Sequence, residues 1–291
     1  MPPSRIRRAL AAAATVTAVL AVPAAGSAAP VPTDQRINVI YDLAPIARVL
    51  HSGYSGVPGL ASDTGSHRQH PLGEPFPQSR WIGKVNHREI VGRSPSAIAD
   101  LLVRRMTTSS IGGKGPRSGL VGVDEVGAEL QDGRSGQAFA SAMRILASRT
   151  YAGTGEPLSR RVILYAAPKF VANVGANHQR GNWDAALAAS RLSGGVFLQM
   201  FHASGGRVTA PMSRAEFRRY AAAWRSAMGG DANRLRFLFS GAGSQDSQWA
   251  NAGSTDAGRR ILSQGAGEYR LGSTDNARAW LRNWNRWTMG R

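Results

Sequence analysis

Apolar positions along this chain fall into two alternating patterns. The first is a series of short, nearly continuous runs: INVIYD (37–42), WIGKVN (81–86), GLVGVDE (119–125), RVILYAA (161–167), GVFLQMF (195–201), LRFLFS (235–240) and the weaker GEYRL (267–271). Runs of this length, rich in Val, Ile, Leu and Phe, predict strands buried on both faces of a parallel sheet. The second pattern is amphipathic and lies between the runs. SPSAIADLLVRRM begins with Ser94 as a cap and Pro95 at the first helical position, where a missing N–H costs nothing. SRAEFRRYAAAWRSAM holds Ser213 and Glu216 at capping-box spacing and gathers Phe217, Tyr220, Ala221, Trp224 and Met228 on one face. GQAFASAMRILASR, NWDAALAASRL, DAGRRILSQ and STDNARAWLRNWNRW complete the predicted helices.

Seven strand–helix units thus begin roughly 30–45 residues apart, which predicts parallel β/α units with right-handed crossovers. An open doubly wound sheet normally announces itself with a glycine-rich turn after the first strand. Here that strand runs into LAPIARVL, so the expectation is a (β/α)8 TIM-like barrel with one unit irregular or missing. The missing strand has one place to be, the segment 52–80. It is rich in Gly, Pro, Ser and His, follows neither period, and is long for a connection inside a compact domain.

The first 28 residues belong to none of this. A basic MPPSRIRR, an apolar ALAAAATVTAVLAV and a small-residue PAAGSAA make the three parts of a secretory signal peptide, with cleavage expected after Ala28. Residues 29–291 then form a single domain, expected to be secreted. The apolar run is too short to span a bilayer comfortably, and no later stretch is long and apolar enough to do so.

There is no cysteine, which removes disulfides and thiol chemistry. The formal charge is +18, and lysine occurs only at Lys84, Lys114 and Lys169, so the excess is arginine. The arginines are scattered through predicted helices without a nucleic-acid-binding motif. Loose adhesion to anionic cell-wall polymers fits this charge better than dedicated nucleic-acid binding, and would weaken with salt.

In β/α barrels the reacting groups sit at the C-terminal ends of the strands. Reading those ends gives Tyr41 and Asp42; Asn86 and His87; Asp124 and Glu125; Tyr165; Gln199 and His202; and Ser240 followed by Gln245, Asp246 and Trp249. Carboxylates, amides, imidazoles and aromatic rings converge on one rim. Asp124 and Glu125 are consecutive, so in a regular strand they point to opposite faces and cannot flank one bond. A catalytic pair then needs a carboxylate from another strand, with Asp42 and Asp246 best placed. Gly122, a strand position without a side chain, leaves room beside a neighbouring group.

A hydrophobic strand ending in Asp124-Glu125, with Tyr, Trp, Asn and His around the rim, resembles the sugar-cleaving barrels of the glycoside hydrolase type. The Asn-Glu pair that many retaining barrels carry at a strand end is absent, and the shared motif is two residues long. The resemblance implies a polysaccharide or oligosaccharide substrate and no cofactor. Glu125 would be the general acid/base, one of Asp42, Asp124 and Asp246 the second carboxylate, and Asn86, Tyr165, His202 and Trp249 would bind sugar. Two other readings stay open: a barrel that binds saccharide without cutting it, and a structural role in which Asp124 or Glu125 caps the next helix or pairs with an arginine such as Arg134.

Other constellations carry less. His67 and His70, with His51 and His87, have the residue types for a metal site, but no H-E-x-x-H occurs and no metal is expected. GYSG (53–56) fails as a nucleophile elbow because Val57 replaces the second glycine. GGKG (112–115) lacks the spacing of a phosphate-binding loop. Trp280, Trp284 and Trp287 recur at helical spacing and are expected to dock a helix on the sheet.

Overall fold

The computed structural model describes residues 38–41, 49, 60–62, 80–107, 117–126, 133–152, 154–166, 180–204 and 207–290. The strands are β1 (Asn38–Tyr41), β2 (Leu60–Ser62), β3 (Arg80–Asn86), β4 (Arg117–Val126), β5 (Val162–Ala166), β6 (Gly195–Gln199), β7 (Phe201–Ser204), β8 (Arg207–Pro211), β9 (Leu235–Ser240) and β10 (Ala266–Tyr269). Eight of them close a parallel barrel in chain order, with β10 returning to pair with β1, while β7 and β8 form a separate antiparallel hairpin. The strand missing from the sequence pattern is β2. Its three residues inside the 52–80 segment pair with both β1 and β3, too few to leave a hydrophobic signature.

The helices are α1 (Pro95–Thr107), α2 (Gly133–Ala147), α3 (Arg180–Leu192), α4 (Arg214–Met228), α5 (Gln245–Ala252), α6 (Asp256–Leu262) and α7 (Thr274–Trp284). Among the described residues, six of the eight barrel strands are followed by a helix before the next barrel strand, making this an α/β barrel. No helix among them is long and apolar enough to cross a membrane. The capping box at Ser213 and Glu216 is formed, and Phe217, Tyr220, Ala221, Trp224 and Met228 are all buried, as the spacing predicts. Trp280 and Trp284 are likewise buried against the core.

The near-continuous apolar runs now have a physical reason. One face of the strands fills the barrel with Val39, Ile82, Leu120, Ile163, Tyr165, Phe197 and Leu238. The other meets the helices through residues such as Val85, Val121, Val123, Leu164, Val196, Phe237 and Phe239. Gly83 in β3 marks where α1 comes closest: a Cβ there would collide with the Arg105 carbonyl.

The floor of the barrel is built with arginine. Arg161 is fully buried, donates Nε–H to the Gly119 carbonyl at 3.1 Å, and pairs with Glu156 at 3.0 Å. Arg236, in register with Phe197 on the interior face, is buried with less support. It donates to the Arg234 carbonyl, its Nε finds no acceptor among the described residues, and burial pushes its guanidinium down to about 10. A cation taken out of water without a carboxylate costs several kcal/mol. Arg236→Met, apolar and comparably long, is therefore expected to stabilise the fold by about 2–3 kcal/mol. Urea unfolding at pH 7 reads this directly, and a Met variant less stable than wild type would show that the arginine holds the floor together.

Candidate active site at the barrel mouth

The strand ends define a mouth, and its geometry turns on β4. This strand pairs with β3 through Lys84↔Gly122 and Asn86↔Asp124, and with β5 through Gly122↔Ile163 and Val123↔Leu164. The next pair with β5 is Val126↔Ala166. Asp124 and Glu125 therefore both stand against Tyr165, which is the two-against-one count of a β-bulge. Strict alternation, which would force consecutive residues onto opposite faces, does not hold across such an irregularity. The side chain of Glu125 and the whole of Asp42 lie outside the described residues.

Asp124 is held by a residue that the sequence reading passed over. Its Oδ2 lies 3.1 Å from Nζ of Lys84, whose side chain is only 7% exposed, against 25% for the aspartate. This ion pair links two strands of the barrel, and it replaces the helix-cap and Arg134 alternatives for Asp124. Lys84 follows Ile82 by two positions, so it shares the interior face. Gly122 is its neighbour in register and leaves that side of the lysine without a competing side chain. The signal was present in WIGKVN, where a lysine sits two residues after an inward isoleucine.

The remaining rim residues divide. Tyr165 is 1% exposed, with its ring in the interior cluster 5.8 Å from Phe197, so it lies beneath the mouth. Asn86 is exposed, but its side chain accepts from the Arg88 N–H and caps the 3-10 turn His87–Glu89. His202 belongs to the hairpin that follows β6. Its Nε2 lies 3.2 Å from Oε1 of Glu216, while Oε2 of that carboxylate accepts from the Ser213 N–H at 2.7 Å. The Ser213 hydroxyl and N–H, with a smaller contribution from His202, hold the Glu216 carboxyl below the usual range. On the same hairpin, Phe201 is buried and stacks on Tyr269 at 5.5 Å, so β7 and β8 cover part of the mouth.

Two expected members of the site are elsewhere. Trp249 is not a ligand-facing ring: residues 245–252 are the helix α5, capped by Ser244, and Trp249 is fully buried. It stacks on Phe239 at 4.4 Å and meets Trp280 edge-on. Asp246, in the first turn of α5, accepts from Asn283 Nδ2 at 2.5 Å and lies 3.6 Å from Arg282, both on α7. Its carboxylate is engaged in the helical layer, not with the barrel interior. Gln245 and Gln248 are buried and tie the end of β9 to α5 by donating to the Ser240 carbonyl. His87 is buried, and His51, His67 and His70 lie outside the described residues. Among the described residues no group of three or more His, Asp or Glu is placed to hold a metal.

One more residue stands at the mouth. Arg270 directly follows β10, is exposed, and places its guanidinium 5.2 Å over the Tyr269 ring. Its φ of 49° makes it the one non-glycine residue with left-handed backbone among the described residues. That conformation costs an L-residue roughly 1 kcal/mol.

In sequence, no family model and no curated protein matches this chain. In structure it is similar to a GH18 chitinase from Pseudoalteromonas aurantia, with a TM-score of 0.52 over 84% of this chain and 99% of that one, at 8% identity. At such identity the likeness is one of fold. It identifies the architecture as a glycoside-hydrolase-like α/β barrel, the resemblance drawn from the strand pattern and the Asp124-Glu125 end of β4.

Proposed function

We propose that this chain is a secreted carbohydrate-active hydrolase that cuts a glycan across the mouth of its barrel, with Glu125 as general acid/base. The observation that supports it best is the bulge in β4, which brings two consecutive carboxylate residues against Tyr165 at the end of a barrel strand, where this fold keeps its reacting groups. The two strands whose helices fall outside the described residues complete a (β/α)8 barrel in this reading, and residues 1–28 direct export.

Hydrolysis of a glycosidic bond needs a proton delivered to the leaving oxygen and water activated at the anomeric carbon. Glu125 delivers the first and, once ionised, takes a proton from the water. Most glycosidases add a second carboxylate, and Asp124 or Asp42 fills that role here. The chitinase fold neighbour belongs to one of the families in which a group of the substrate serves in its place. Lys84 fixes Asp124, while Asn86 and His202 offer polar contacts to sugar hydroxyls at the rim, above the buried Tyr165. Excess positive charge adds loose adhesion to an anionic envelope, sensitive to salt.

One observation favours a second reading, a barrel that binds saccharide without cleaving it. Asp124 is already neutralised by Lys84, and Asp246 is committed to α7. Incubating the protein with chitin, peptidoglycan, cellulose and pectin, and following both reducing-end release and retention on the polymer, separates the two. Release from at least one polymer is expected. Retention without release supports the second reading, and neither release nor retention across the panel overturns both.

A further inference from the structure

We propose that the glycan bound at this mouth is anionic, and that Arg270 is the residue that reads its carboxylate. The inference rests on the glycan reading above and names the substrate class for the same site.

Position is the first argument. Around the barrel β10 lies four strands from β4 in either direction, so Arg270, at the end of β10, stands across the mouth from Asp124 and Glu125. A saccharide laid over the opening for cleavage at β4 meets Arg270 on the far side. Asp124, which would repel an anion there, is ion-paired with Lys84.

The second argument is the backbone. Every other left-handed position among the described residues is glycine, including Gly243 and Gly272 on the loops that follow β9 and β10. Where these turns require a positive φ, the chain supplies the residue that adopts it freely. At 270 it keeps a long cationic side chain against that preference. Strain of this kind persists where a side chain is needed in one particular place.

The third is the chemistry of the head group. The guanidinium lies over Tyr269, and Tyr269 is stacked on the buried Phe201 of the hairpin. An aromatic support limits where the cation can go without using up its N–H donors. A guanidinium so placed matches a carboxylate with two parallel hydrogen bonds, which an ammonium or an amide does not reproduce. A uronate ring carries such a group, and neutral hexose and N-acetylhexosamine units do not.

Titration calorimetry at low salt tests this with tetragalacturonate against two neutral tetrasaccharides, cellotetraose and chitotetraose. Wild type is expected to bind the acidic oligomer at least tenfold more tightly than either neutral one. Arg270→Gln, which keeps the strained backbone, is expected to erase that preference, and Arg270→Lys to retain only part of it. Arg270→Gly should also erase it while raising the unfolding temperature, because glycine adopts the left-handed turn without strain. A preference that survives in Arg270→Gln, or a wild type that binds neutral and acidic oligomers alike, overturns the role of Arg270 and leaves the glycan reading standing. Failure of wild type to bind any of the three, together with a negative polymer panel, removes the glycan reading itself.

Discussion

Glu125→Gln is expected to lower glycan turnover by about two to four orders of magnitude while leaving substrate binding within a few-fold of wild type. Glutamine keeps the size and most of the hydrogen-bonding capacity of glutamate, but it cannot deliver or remove a proton at neutral pH. If Glu125 is the acid/base, the loss falls on kcat and not on KM, because the interaction removed exists only in the transition state. The informative control is Asp124→Asn. Removing that charge leaves the Lys84 ammonium, only 7% exposed, without the carboxylate 3.1 Å away, so this variant should lose folding stability as well as activity. Glu125→Gln should unfold at nearly the wild-type temperature. A variant that turns over glycan normally removes Glu125 from the chemistry, whatever its stability.

Trp249→Ala is expected to do the opposite, costing about 3–5 kcal/mol of stability, or roughly 10 °C in unfolding temperature, with no selective effect on sugar binding. The ring is fully buried, stacks on Phe239 at 4.4 Å and meets Trp280 edge-on at 5.6 Å, so truncation leaves a cavity between the sheet and two helices. Trp249→Phe should cost much less. It refills most of the volume and removes an indole N–H that has no acceptor among the described residues. Circular-dichroism melts of both variants beside tetrasaccharide titrations decide the matter. A Trp249→Ala protein that melts like wild type but no longer binds would return the ring to the mouth.

These two expectations mark where local reading succeeded and where it stopped. Six of the seven apolar runs overlap barrel strands over most of their length, and the seventh overlaps β10, because strands buried on both faces cannot hide their composition. The capped helix α4 was legible for a similar reason: a cap and a 3.6-residue stripe are written within sixteen consecutive residues. The stretch holding Asp246 and Trp249 was misread as a loop. Its eight-residue helix is too short for a stripe, and the cap at Ser244 was its one local mark. The hairpin β7–β8 was absorbed into the preceding strand, since GVFLQMF continues apolar through Phe201 although the chain leaves the barrel after Gln199.

What the sequence by itself determined is the barrel class, the boundaries of most of its units, the burial of the α4 and α7 faces, and the list of polar residues at the strand ends. Each follows from composition and period within one segment, which is the range over which local physics acts. The tertiary structure alone decided how those polar residues are used. The bulge that sets Asp124 and Glu125 against Tyr165 exists only because β4 and β5 pair with unequal counts. The partnership of Lys84 with Asp124, the commitment of Asp246 to α7 and the station of Arg270 across from β4 each depend on segments far apart in the chain. Register, ion pairing and closure are relations between segments, and no window of consecutive residues contains them.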